Sequence, residues 1–401
     1  MFVLDLVCAG RVTLATALVV GSSATALTSC TGSQAPSETP RKSGPALVLR
    51  AEASVEQGTV AVPPPSVPDS AGVETSAPTT APPEPSACPN SMILVEGDYC
   101  SEVKHECLEH WYSEVNKKTV CEAFTPKAEC VGDRVKKRYC IDTYSWPNQA
   151  GVRPEVMNNF YQAQVKCAAV GKRMCTESEW TLACEGPEMK PFPYGYVRDP
   201  DKCNGDNPWD HPDMTKVAKR DPTELARLWQ GVPSGTQPQC VSDYGVHDLP
   251  ANNDEVVASE TFTSNWRGKY DSVHTGGPWY TGVRNQCRPK IYTHDEGFYY
   301  YYLGFRCCAE PDGEVTDPRT PKQRKKNQSF SFVERLARFS VEEARKKLAE
   351  KSAGTCACRD NDILCKTLCG TLLGPEAKDV VRQRPPSARP EGDSKTERRG
   401  R

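Results

Sequence analysis

The chain has 401 residues, a net charge of −2 and 20 cysteines, with 34 prolines and only 8% aromatic residues. Near-neutral charge excludes a general polyanion binder, and no nucleic-acid partner is expected. So many cysteines argue against the cytosol and for an oxidising compartment.

The amino terminus reads as an export signal. Arg11 precedes an apolar run, Val12 to Leu27, that is short for a membrane span and is followed by small and polar residues. The run ends Leu27-Thr28-Ser29-Cys30, which resembles the lipobox of bacterial lipoproteins; Ala24-Thr25-Ala26 offers an ordinary cleavage site as the alternative. Lipidation of Cys30 would tether the chain to the cell envelope, and Thr31 after it suits the outer membrane of a cell that has one. Residues 31–87 lack cysteine and aromatic side chains and are dominated by Pro, Ser, Thr, Ala and Gly, so they read as a disordered linker.

Setting aside Cys8 and Cys30, eighteen cysteines remain, an even number compatible with nine disulfides of undetermined connectivity. Six of them fall between Cys88 and Cys140, which predicts a loop-rich, disulfide-tied entry with one strand at 92–97. The apolar stripe Val156, Phe160, Ala163, Val165, Cys167, Val170 predicts a helix over 155–170, ended by Gly171. After an extended segment at 172–175, Thr176 and Glu179 form a capping box, so a second helix starts at Glu177 and carries Trp180 toward the core. Residues 192–210 read as irregular, with Asp199, Asp201, Asn204, Asp206 and Asn207 as turn residues.

Three stretches carry the strongest signal: GKRMCTESEWTLACEG at 171–186, GGPWYTGVRNQCRP at 276–289 and LGFRCCAE at 303–310. In type, order and spacing they resemble the sulfatase-modifying factor family, that of the formylglycine-generating enzyme, over roughly residues 91–310, which places a domain of that type at 88–310. The resemblance implies an α+β fold, irregular, disulfide-rich and C-type-lectin-like.

The family's oxidase members place two cysteines five residues apart after the Gly-Gly turn, where they bind copper(I), a soft ion suited to thiolates. Here those positions fall on Thr281 and Gln286, with Cys287 adjacent and alone. Copper and formylglycine generation are therefore not expected, and Cys287 reads as disulfide-bonded, with a catalytic thiol as the competing role. An iron branch of the family uses histidines; the six here show no paired spacing, and an iron site assembled from distant partners stays open. In relatives the loop matching 245–259 binds calcium, and Asn252, Asp254 and Glu255 retain suitable oxygens.

The remaining candidates are polar and aromatic. Trp279, Tyr280, Arg284, Arg288 and Asp295, with Tyr299 to Tyr302, suit an anionic or carbohydrate ligand. His294 beside Asp295 has the composition of an acid–base pair, although sequence neighbours on a strand point to opposite faces. These features predict a ligand-binding module for an envelope or extracellular ligand, with a metal-dependent oxidoreductase as the alternative.

Past this region, 311–329 reads as a linker with a solvated basic patch at Lys322 to Lys326. Residues 330–372 read as a small helical segment with a capping box at Ser340 and Glu343, in which Cys356, Cys358, Cys365 and Cys369 form two disulfides, a zinc knuckle being the alternative. Residues 373–401 read as a disordered tail.

Overall fold

A computed structural model of the protein describes residues 87–113, 118–260, 268–280, 284–313 and 315–379. The export signal, Cys30, most of the linker, Thr281 and the end of the tail lie outside the described residues. No described helix is long and apolar enough to cross a membrane.

Two four-stranded sheets organise the core. The first has the order β1–β6–β12–β7, built from β1 (Met92–Cys100), β6 (Arg134–Asp142), β7 (Arg173–Met174) and β12 (Cys307–Ala309). The second has the order β10–β9–β8–β11, from β8 (Asp254–Ala258), β9 (Ser272–Thr275), β10 (Lys290–Ile291) and β11 (Leu303–Gly304), in which β11 runs parallel to β8. Short pairs β2 (Val103–Lys104) with β5 (Glu129–Cys130) and β3 (Cys107–Ser113) with β4 (Lys118–Phe124) complete the entry. The entry is thus strand-rich, not loop-rich. Cys107–Cys121 bridges β3 and β4, and Cys100–Cys130 ties β5 to the end of β1, so disulfides hold strands with little apolar surface to bury.

Helix α1 (Phe160–Ala169) begins later than the apolar stripe implies, because Asn159 and Gln162 form a capping box that fixes its first turn. Val156 is buried as expected, but ahead of the helix, in a segment without regular structure where Met157, also buried, has φ +68. Helix α2 (Glu177–Glu185) starts where Thr176 and Glu179 place it, and its Trp180 is buried between the sheets. Short α3 (Met214–Ala218) and α4 (Pro222–Leu228) follow.

The eighteen cysteines from Cys88 to Cys369 form nine disulfides. Such a set fits a protein outside the cytoplasm. Cys167–Cys307, Cys175–Cys308 and Cys184–Cys287 staple α1, β7 and α2 to the closing strands. The expected irregular, disulfide-rich α+β class holds.

The tail departs from expectation. Residues 311–329 contain α5 (Pro321–Lys325), and Lys322 of the basic patch is buried, donating to the carbonyls of Gly268 and Tyr270. Helices α6 (Phe330–Ala337), α7 (Val341–Ser352) and α8 (Ile363–Cys369) cover α1, where Val333, Ala337, Phe339, Ala344 and Leu368 bury Val165 and Ala169. Lys166 anchors the contact: its ammonium donates to Glu155 (2.6 Å) and to the Thr367 carbonyl (2.6 Å), while Lys351 takes the other Glu155 oxygen. Two disulfides, Cys356–Cys369 and Cys358–Cys365, close the last turn.

Candidate functional site

The Gly-Gly turn is dictated by its neighbours. Gly276 has φ +71, and a Cβ there would meet the Pro250 carbonyl oxygen at 2.6 Å; at Gly277 a Cβ would fall 1.8 Å from Asn285 Oδ1. Directly after it, Trp279 is fully buried, edge-on to Trp229 and packed with Tyr301. Trp279 is thus a core side chain, not an exposed ligand platform; its large apolar face gains more from burial than from solvent. Tyr280, Tyr301 and Tyr302 join the same cluster, and burial raises each phenol above its usual range.

Below the turn the polar candidates separate. Arg284 pairs with Asp254 at 2.9 Å and donates to the Gly276 carbonyl, which ties the turn to β8. Burial pushes Asp254 up to about 6 despite Arg284, and its Oδ1 finds no partner among the described residues. Glu255 is saturated: it accepts from Arg306 through both oxygens (2.7 and 3.0 Å), from Trp180 Nε1 (2.7 Å) and from Ser145. Asn252 accepts from Asn204 and the Val232 amide and donates back to the Val232 carbonyl. The three oxygen donors face different partners, and the cations serving the two carboxylates are guanidinium groups.

His294 stacks on Phe298 with ring centroids 3.8 Å apart and lies beside His274, while Asp295 turns away to accept from the Gly297 amide. No acid–base pair forms between His294 and Asp295. Burial lowers both imidazoles, His274 to about 3.

A separate polar cleft of about 620 Å³ opens beside β10, between the start of α2 and the end of β1. Arg288 lines it but is held by Glu185 through two bonds of 2.6 Å, by the Cys100 carbonyl and by the face of Tyr99. Lys290 lines it with no carboxylate in ion-pair range among the described residues, and burial depresses its ammonium to about 8, a shift that Glu177 opposes. Tyr292 donates to Glu177 at 2.9 Å, and Glu260 accepts from the Ser178 amide. Tyr99, raised to about 12 by burial, forms another wall. Lys290 was not singled out from the sequence; only its place two residues after Arg288 hinted at it.

The sulfatase-modifying factor enzyme 1-like domain matches residues 109–311, just over half of the chain. This protein belongs to that family. Among solved structures, the chain is similar to PvdO from Pseudomonas aeruginosa (14% identity, TM-score 0.33, covering 54% of this chain and 93% of that one). It is likewise similar to CarF (11% identity, TM-score 0.36, 56% and 99%). No curated protein matches.

As a sulfatase-modifying factor domain, the chain departs from the oxidase pattern at its thiols. Cys287 is buried and bonded to Cys184, so it is not the free nucleophile considered above. Gln286 supplies a half-buried amide, and Thr281 lies outside the described residues. A disulfide sulfur and an amide give copper(I) no thiolate, the soft ligand on which the oxidase site is built.

Proposed function

We propose that this protein is a ligand-binding member of the sulfatase-modifying factor family, held at the cell envelope by lipid on Cys30, that recognises an acidic saccharide in the cleft beside β10. One observation carries the non-oxidase part: the only cysteine of the Gly-Gly stretch is locked to Cys184 in the core. For the ligand, the cleft offers the Lys290 charge without an ion-pair partner among the described residues, the ring of Tyr292, and polar walls from Ser101, Glu177 and Glu260. Tyrosine rings suit the apolar faces of sugar rings, and a cation suits an attached carboxylate.

Two measurements test this reading. Thiol titration of the denatured, unreduced protein should find no free thiol from Cys88 onward; two reactive thiols with bound copper on elemental analysis would overturn it. Calorimetry with galacturonate oligomers should show binding that Lys290→Met removes, and equal heats for that variant would defeat the cleft assignment. For the anchor, Cys30→Ser should release the protein from membranes, and unchanged membrane association would defeat lipidation.

A further inference from the structure

A second cavity, of about 430 Å³, lies at the seam where α3, α6 and α8 meet the amino end of α1, away from the cleft beside β10. Its base is Arg220, which is only 8% exposed. The guanidinium stacks on Tyr299, 4.3 Å from the ring centre, and donates through Nη1 to the Thr367 hydroxyl at 2.8 Å. Among the described residues it has no carboxylate partner. Buried charges are almost always paired, because an isolated ion loses its hydration without compensation.

The neighbouring acids are committed elsewhere. Asp221 caps α4 by accepting from the Glu224 amide, and Asp362 caps α8 by accepting from Cys365. The two oxygens of Glu155 go to Lys166 and Lys351. Arg338 and Lys219 add two more positive groups to the cavity lining. Both arginines occupy positions where glycine ordinarily ends a helix: Arg220 has φ +54 just beyond α3, and Arg338 has φ +69 at the end of α6. A side chain in that conformation carries a backbone cost, and here both such arginines line one cavity. Asn159 and Gln162 from the first turn of α1 complete the lining, so the positive end of that helix dipole has the same sense.

We propose that this cavity binds a phosphate group. Two forked guanidinium groups and a lysine match the several acceptor oxygens of a phosphate, whether free or as a singly charged diester. The bound anion would also join the tail helices to α1, since Arg220 follows α3, Arg338 ends α6 and Thr367 belongs to α8.

The test is titration calorimetry of the full chain with inorganic phosphate and, separately, with glycerophosphoglycerol, the soluble headgroup of an anionic lipid. Saturable binding of inorganic phosphate alone would support a free phosphate or phosphomonoester ligand, and binding of both would support a headgroup. In either case Arg338→Gln, an exposed position, should weaken binding about tenfold through loss of one charged hydrogen-bonding group, and Arg220→Gln should abolish it. Should Arg220→Gln fail to fold, Arg338→Gln decides alone. No binding of either probe, or binding that Arg338→Gln leaves unchanged, would overturn the proposal.

Discussion

Glu255 and Arg306 meet in the core with both carboxylate oxygens bonded to the guanidinium, at 2.7 and 3.0 Å, and neither side chain reaches solvent. Arg306 belongs to the closing strand region and Glu255 to β8, so the pair joins the two sheets. Its remaining donors go to the carbonyls of Asp142, Thr143 and His247.

Replacing Glu255 by Ala strands a buried cation and should cost about 3–5 kcal/mol. Adding Arg306→Met should restore part of that loss, because the uncompensated charge leaves with it. Chemical denaturation under non-reducing conditions measures both, and a single-variant loss below about 1 kcal/mol would show that the pair is not integral to the core.

Asp248 is buried, accepts from the Gly235 amide and is pushed up to about 6 by burial. Since its folded value exceeds the unfolded one, the folded state holds the extra proton between about pH 4 and 6, and stability from this group is lost as pH rises through that window. Asp248→Asn keeps the acceptor and suits the φ of +66. It should therefore add about 1–3 kcal/mol at pH 7.5 and almost nothing at pH 4. Equal gains at both pH values would contradict this.

Lys290, at about 8, carries the opposite linkage. The unfolded chain binds its proton more tightly, so stability from this group rises with pH between about 8 and 10. At pH 8 a limiting amount of an amine-acylating reagent should label Lys290 faster than the exposed Lys136. Peptide mapping by mass spectrometry reads the ratio, and slower labelling of Lys290 would refute the depressed value.

Removing the tail after Glu310 should expose Val165, Ala169 and the buried Lys166 and so lower the melting temperature or cause aggregation. Each apolar side chain uncovered costs about 1.5–3 kcal/mol. A fragment ending at Glu310 that melts with the full chain would show that the helical cover is dispensable.

What the sequence disclosed depended on distance along the chain. Helix α2 was legible because Thr176 and Glu179 sit three residues apart and their reciprocal bonds are local. The start of α1 was misplaced because Val156 and Met157 fall near a helical stripe while being buried by α4 and the tyrosine run. The entry strands were missed since β3 is mostly exposed and neither β3 nor β4 shows a clean apolar alternation. Arg306, Lys166 and Lys322 have charges that ordinarily mark a surface, and the partners that permit their burial lie tens to hundreds of residues away. The same distance hid the cavity at Arg220, whose walls come from four separated helices. The Gly-Gly stretch identified the family yet dispersed as a site: Trp279 went to the core, Arg284 to Asp254, and Arg288 to Glu185.

The three staples Cys167–Cys307, Cys175–Cys308 and Cys184–Cys287 span 140, 133 and 103 residues. In any amino-to-carboxyl order of synthesis, Cys167, Cys175 and Cys184 precede their partners by more than a hundred residues and lie within eighteen residues of one another. Oxidation in order of emergence would join them to each other, and recovery requires exchange through mixed disulfides, a process of seconds to hours. The native pairing therefore favours oxidation under conditions that allow such exchange.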